Sequence, residues 1–199
     1  LSMDDGQVID KLTPNTRAVF LTHAQGFNGL TGRLLDTLKA RNIPLIEDVC
    51  ESHGAEFHKN KLGSFGWVSN FSFYYAHHMS TIEGGMVCTD SEEVYQICRM
   101  LRSHGMVREV TNEKLGESYV NENPELNPDF IFAFPAYNMR NTELGAVLGR
   151  SQLARLDSNN VKRQRNFKLF LEALDPSKYQ TDFDLDGSCN YAFNLILKK

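Results

Sequence analysis

Two short apolar runs separated by a helical pattern set the fold class of this chain. Ala18-Val19-Phe20-Leu21-Thr22-His23 follows the turn-like Thr13-Pro14-Asn15 and reads as a buried strand. Gly26 to Gly29 form a loop, and Thr31 can cap a helix whose apolar face is Leu34, Leu35 and Leu38. Ile43-Pro44-Leu45-Ile46-Glu47-Asp48 then reads as a second strand ending in two acids. A helix between two strands makes a βαβ unit, so the sheet is expected to be parallel here. In open α/β sheets ligands bind at the carboxyl ends of the strands, which makes Asp48 a candidate site residue. Its carboxylate can hold a protonated ring nitrogen, or it can simply cap the next segment.

The following elements are less sharply written. Glu51 to Gly66 reads as a Gly-rich polar loop, and Asn70 to Tyr74 and Gly85 to Thr89 as strands. Asp90 or Ser91 can cap a helix with Val94, Ile97, Cys98 and Leu101 on one face, stopped by Gly105. Residues 106–132 read as a long polar excursion. Leu144, Val147, Leu148 and Leu153 give a helical pattern from Thr142, and a charged helix is expected from Asp157 to Leu174, ended by Pro176. Tyr191 to Leu197 reads as a last strand. The domain boundary is expected at 156/157.

Composition excludes several classes. A net charge of -4 over 199 residues argues against a general binder of nucleic acid. The one basic cluster, Lys162-Arg163-Gln164-Arg165, reads as the wet face of a helix. No apolar stretch approaches the roughly 20 residues that span a bilayer. Cys50, Cys88, Cys98 and Cys189 lack the paired spacing of zinc or iron–sulfur sites. Scattered thiols in an acidic chain fit a reducing cytoplasm.

Ser72 and His77-His78 complete the candidates. Ser72 can donate its hydroxyl to a phosphate, or serve as a turn residue. Imidazole moves protons near neutral pH. A metal site with His53, His58 or Glu51 as co-ligands is an alternative. Against it, neighbouring residues in an extended segment face opposite ways, and the helical i, i+4 spacing is absent.

The stretch Ser72-Phe73-Tyr74-Tyr75-Ala76-His77 resembles the cofactor-lysine segment of the DegT/DnrJ/StrS sugar aminotransferases. The resemblance extends to Ile46-Glu47-Asp48, Gly54-Ala55, Gly63-Ser64-Phe65-Gly66, Glu83-Gly84-Gly85, Arg102-Ser103-His104-Gly105 and Phe134 to Arg140, in family order. In that family a serine is followed five residues later by the lysine that binds pyridoxal 5′-phosphate (PLP) covalently. Here that slot holds His77, and no lysine occurs between Lys61 and Lys114. The resemblance therefore points to the histidine-bearing 3-dehydratases of the family. A branch with an iron–sulfur cluster lacks its cysteines here.

What the resemblance implies can be stated residue by residue. The fold would be α/β, part of the aspartate-aminotransferase-like large domain with a mixed, mostly parallel sheet flanked by helices. The small C-terminal domain would begin in 157–199. PLP or its amine form, pyridoxamine 5′-phosphate (PMP), would be the cofactor. His77 would be the catalytic base and Asp48 the partner of the ring nitrogen. Ser72 would bind the phosphate, with Asn138 of a neighbouring subunit, and Glu51 would lie near the ring without an assigned role. The substrate would be a nucleotide-linked 4-keto-6-deoxy sugar that loses its C3 hydroxyl, with an amino donor such as glutamate, in a homodimer. An aminotransferase of the same family, or a catalytically incomplete binding fragment, are the alternatives. Family members are about twice this length, so a fragment, marginally stable or self-associating, is expected.

Overall fold

The computed structural model describes residues 2–199, which fall into two compact units, residues 2–86 with 143–199 and residues 87–142. In the first unit, Asp4 accepts from Gln7 N at 2.8 Å and opens helix α1 (Asp5–Lys11). Strand β1 (Val19–Thr22), helix α2 (Gly32–Ala40) and strand β2 (Leu45–Asp48) form the expected parallel βαβ unit, with Val19 opposite Leu45 and Thr22 opposite Asp48. Thr31 caps α2 as its sequence position requires, its hydroxyl accepting from Leu34 N at 3.1 Å. Leu34 and Leu38 then face Val19, Leu21, Leu45 and Val49 in the main core.

Glu51 to Gly66 is more ordered than a loop. It contains a hairpin of β3 (Glu56–Phe57) and β4 (Asn60–Lys61), turned by His58 and Lys59, both at positive φ as a tight two-residue hairpin requires. Strand β5 runs Val68–Ser72, two residues earlier than the apolar pattern suggested, and pairs parallel with β2. Strand β6 (Gly85–Thr89) completes the order β1-β2-β5-β6. The helical pattern that begins at Thr142 and continues from Asp157 to Leu174 is one helix, α5 in the order of the chain (Glu143–Glu172), with nothing between Leu153 and Asp157 to interrupt helical backbone. Position 157 therefore lies inside that helix. Leu144, Val147, Leu148 and Leu153 are exposed, while Phe167 and Leu171 are buried.

The end of α5 makes a second core. Phe167 meets Phe27, Phe183 and Phe193, with ring centroids 6.0 to 6.1 Å away. Truncation of Phe167 to alanine removes these contacts and leaves a cavity. The expected loss is about 3 to 5 kcal/mol, measurable by urea denaturation of the chain. Tyr191 to Leu197 is not a strand. A single antiparallel bridge joins Tyr179 and Leu197, and no ladder partner follows. The basic cluster is only partly wet: Arg163 donates to Tyr191 O at 3.1 Å and Gln164 to Ser188 O, tying this tail to α5.

In the second unit, Ser91 rather than Asp90 caps α3 (Glu92–Leu101), accepting from Val94 N at 3.4 Å. Its buried residues are Gln96 and Met100, not the expected Ile97. Gln96 turns inward because its amide satisfies both Thr111 N and Thr111 Oγ1. The excursion at 106–132 contains α4 (Glu113–Glu122), capped by Asn112. Among the described residues no helix is long and apolar enough to cross a membrane.

Candidate active site

Parallel register lines up three polar side chains where the strands end. Thr22 pairs with Asp48, and Asp48 with Asn70. Asp48 Oδ1 accepts from Asn70 Nδ2 at 3.0 Å and from Cys50 N at 3.1 Å, while Oδ2 receives a long 3.4 Å bond from Thr22 Oγ1. The carboxylate is thus fixed through one oxygen and lightly used through the other. Beside it, burial, then a hydrogen bond to the Asp48 carboxylate and its charge, push the Cys50 thiol up to about 12, so it stays protonated.

Ser72 is the last residue of β5, and its Oγ accepts a long 3.4 Å bond from Tyr74 N. The chain then turns: His77 N donates to Tyr74 O at 3.1 Å and Thr81 N to Phe73 O at 2.9 Å. This turn corrects the expectation that two adjacent histidines face apart. That argument holds for extended backbone, and residues 74–79 are not extended. His77 and His78 both reach His53, with ring centroids at 5.8 and 5.9 Å, and both reach Tyr191, at 5.5 and 5.9 Å.

The three imidazoles differ in what holds them. His78 Nε2 faces two carbonyls, Cys189 O at 2.8 Å and Asn190 O at 3.2 Å. Both can only accept, so Nε2 carries the proton and Nδ1 is left buried without a partner. His53 is 3% exposed and sits against Phe71 and Phe73; neither ring nitrogen makes a well-formed hydrogen bond, although the Ser72 backbone lies close enough to favour its protonated form. Burial, then the neighbouring His78 and His77, push its pKa down to about 4. His77 is half-buried and its Nδ1 has no partner. Burial lowers its pKa below the ordinary 6.5, against the pull of the Glu51 and Asp48 carboxylates in the other direction. Among the described residues no group of three or more His, Cys, Asp or Glu is arranged to hold a metal ion.

Glu51 faces a different partner. Its Oε2 accepts from Gln25 N at 2.6 Å and Gln25 Nε2 at 3.1 Å. Gln25 and Gly26 are both at positive φ, and Asn190 packs directly on Gly26, where a Cβ would fall 2.6 Å from Asn190 Cα. Cys189 N and Tyr191 N then donate to Gly26 O and Gln25 O at 2.9 and 2.8 Å. The tail at 188–191 is thereby built onto the site, and the turn at 24–26 links it to Glu51. Asn138 lies in the second unit, exposed and bridged to Ser103.

The profile of the DegT/DnrJ/EryC1/StrS aminotransferase family matches residues 1–196. The chain belongs to that family. GDP-4-keto-6-deoxy-D-mannose 3-dehydratase of Escherichia coli O55:H7 is 31% identical over 200 residues, covering 100% of this chain and 51% of the relative. The E. coli GDP-4-keto-6-deoxy-D-mannose-3-dehydratase with bound hydrated PLP superposes with a TM-score of 0.81 at 29% identity, covering 100% of this chain and 51% of that one. The same enzyme type with a trapped PLP-glutamate geminal diamine gives 0.81 at 30% identity, over 100% and 52%. The fold is that of these enzymes, and this chain spans about half the length of the relatives it matches.

Within this family member, sequence reasoning selected Asp48, Glu51, Ser72 and His77 but gave no part in this site to Tyr191 or to Gln25. Tyr191 was hidden by its reading as a strand residue. Gln25 was hidden inside a loop, although Gly26 beside it signalled a positive φ.

Proposed function

We propose that this chain carries the cofactor-facing part of a vitamin B6 enzyme that removes the C3 hydroxyl of a nucleotide-linked 4-keto-6-deoxy sugar. The observation that supports this most is an imidazole, not an amine, at position 77. It follows the end of β5 and feels both Asp48 and Glu51. The residues present fit PLP or PMP. Asp48 offers its lightly used Oδ2 to a protonated ring nitrogen, and Ser72 keeps its O–H proton available for a phosphate. Asn138 of a neighbouring copy would add a second phosphate contact in a homodimer.

When bound, the cofactor supplies an electron sink beside the sugar carbon that loses its hydroxyl. The rest is done by side chains. Burial keeps His77 neutral around pH 7, so it can accept a proton at Nε2. As the imidazolium it can deliver that proton to the departing hydroxyl, which leaves as water. Imidazole cannot hold the cofactor covalently as lysine does. Asp48 and Ser72 would therefore hold PLP or PMP through noncovalent contacts, with an amino donor such as glutamate as the source of the amine form. Residues 157–199 would then be the connecting helix and the start of the small domain, in a cytoplasmic protein.

The test uses the full-length parent protein with PLP, glutamate and GDP-4-keto-6-deoxymannose. The expected product is the 3-deoxy sugar, with one glutamate consumed per turnover and no nitrogen left on the sugar. An amino sugar would replace the dehydratase reading with aminotransfer. No binding of PLP or PMP would leave a binding fragment.

A further inference from the structure

His53 is the most sparsely held imidazole of the cluster. Buried polar atoms are nearly always paired, yet the Ser72 backbone supports its ring only loosely, and neither ring nitrogen makes a well-formed hydrogen bond. His78 earns its burial by latching the tail, and His77 faces the two carboxylates. The unpaired atoms of the cluster are not scattered. His53 Nδ1 and Nε2, His77 Nδ1 and His78 Nδ1 belong to three neighbouring rings, His53 packing against both of the others, with the His53 and His77 planes at 46°. The Cβ–Cγ torsion of histidine is broad and soft. A modest ring rotation can therefore join two of these orphans, while the rings of Phe71 and Phe73 pack on His53 and the Ser72 backbone between them can take the N–H of its other nitrogen.

We propose that His53 is a positioning residue for His77: its neutral ring accepts the N–H that His77 turns inward at Nδ1, which leaves His77 Nε2 as the working nitrogen. The logic is that of a base oriented by a third group, with a buried imidazole where hydrolases use a carboxylate. A carboxylate here would raise the His77 pKa and favour its charged form before reaction. A neutral imidazole orients the ring and supports the cation only after a proton arrives. His53 is suited to this because it does not compete for the proton, being held near 4 by burial. The groups that face the pair are Asp48 and Glu51 toward His77, His78 and Arg163 behind, and Tyr74 and Tyr191 at the rim. None of these gives His77 Nδ1 a hydrogen bond.

This inference rests on the proposed role of His77, but its test does not need the cofactor. Histidine ring nitrogens of the 199-residue chain, labelled with 15N, report tautomer and pKa directly. In the unaltered chain the neutral His77 ring is expected to be protonated at Nδ1. In His53→Phe this preference is lost and the His77 pKa falls by about one unit, the effect of one charge-assisted hydrogen bond. His53→Asn or His53→Gln, which return an acceptor near the place of Nδ1 or Nε2, restores at least half of the shift. In the full-length parent, His53→Phe moves the lower limb of the kcat profile to lower pH. An evenly mixed tautomer in the unaltered chain overturns the proposal. So does a folded His53→Phe with His77 unchanged. Failure of the parent to bind PLP or PMP sinks the enzymatic reading alone and leaves these spectra standing.

Discussion

If His77 is the base of the proposed dehydration, replacing it with asparagine is expected to lower 3-deoxy sugar formation by the full-length parent about 10³-fold, without loss of cofactor binding. The size follows from what general acid–base catalysis contributes, about 10² to 10⁴. Asparagine keeps a hydrogen-bonding side chain of similar reach but cannot take up a proton. Cofactor binding is expected to persist because Asp48 and Ser72 are held by their own neighbours. Asn70, Cys50 N and Thr22 fix the first, and the end of β5 carries the second. Loss of PMP affinity in parallel with activity would instead make His77 a binding residue. The complementary substitution, His77→Lys, is expected to capture PLP covalently, read as added protein mass after borohydride reduction. A lysine that never acquires this mass would place position 77 away from the cofactor aldehyde.

The parts of the fold that were legible in the sequence are those where one local signal matched one energetic cause. Thr31 before an apolar helical face, and alternating strands ending in Glu47-Asp48, were read correctly because capping and burial act there within a few residues. Helix α4 was illegible because none of its residues is buried, so no apolar period marks it. Tyr191 to Leu197 has strand composition, yet strands need partners, and its neighbours in space are α5 and the turn at 24–26.

The site divides the same way. Asp48 was visible because the end of a parallel strand is a place that topology alone defines. The clustering of His53, His77 and His78 entered the sequence reading only as an alternative metal site, since it depends on a turn at 75–79 and on contacts between segments far apart in sequence. A sequence reading that treats His77-His78 as extended has to put them on opposite faces. The hydrogen bond from His77 N to Tyr74 O removes that premise.

Glu47→Gln is expected to destabilise the chain by about 3 to 5 kcal/mol, although it changes one atom. Glu47 is fully buried on the same face of β2 as Leu45, where a charge survives only if its oxygens are satisfied. They are: Oε1 accepts from Phe65 N and Gly66 N at 2.8 and 2.6 Å, and Oε2 from Gly63 N at 2.8 Å and His23 Nε2 at 3.1 Å. His23 cannot adapt, because its Nδ1 accepts from Gly29 N at 3.1 Å and its proton must therefore sit on Nε2. A glutamine amide can serve one pair of donors but sets its own NH₂ against the other pair. Two hydrogen bonds to a charged group are lost, at about 1.5 to 3 kcal/mol each, read as a fall in Tm of about 10 °C. Burial alone would raise the Glu47 pKa. The bonds from His23, Gly63, Gly66 and Phe65 outweigh it and leave the value below the ordinary 4.5. The carboxylate therefore contributes its stability in full above pH 4.5 and loses it as pH falls below that through the folded value. Denaturation midpoints of the unaltered chain should drop in that acid range, and those of Glu47→Gln should drop less steeply. Equal slopes for the two proteins would show that Glu47 is not the group whose protonation loosens the loop at 63–66.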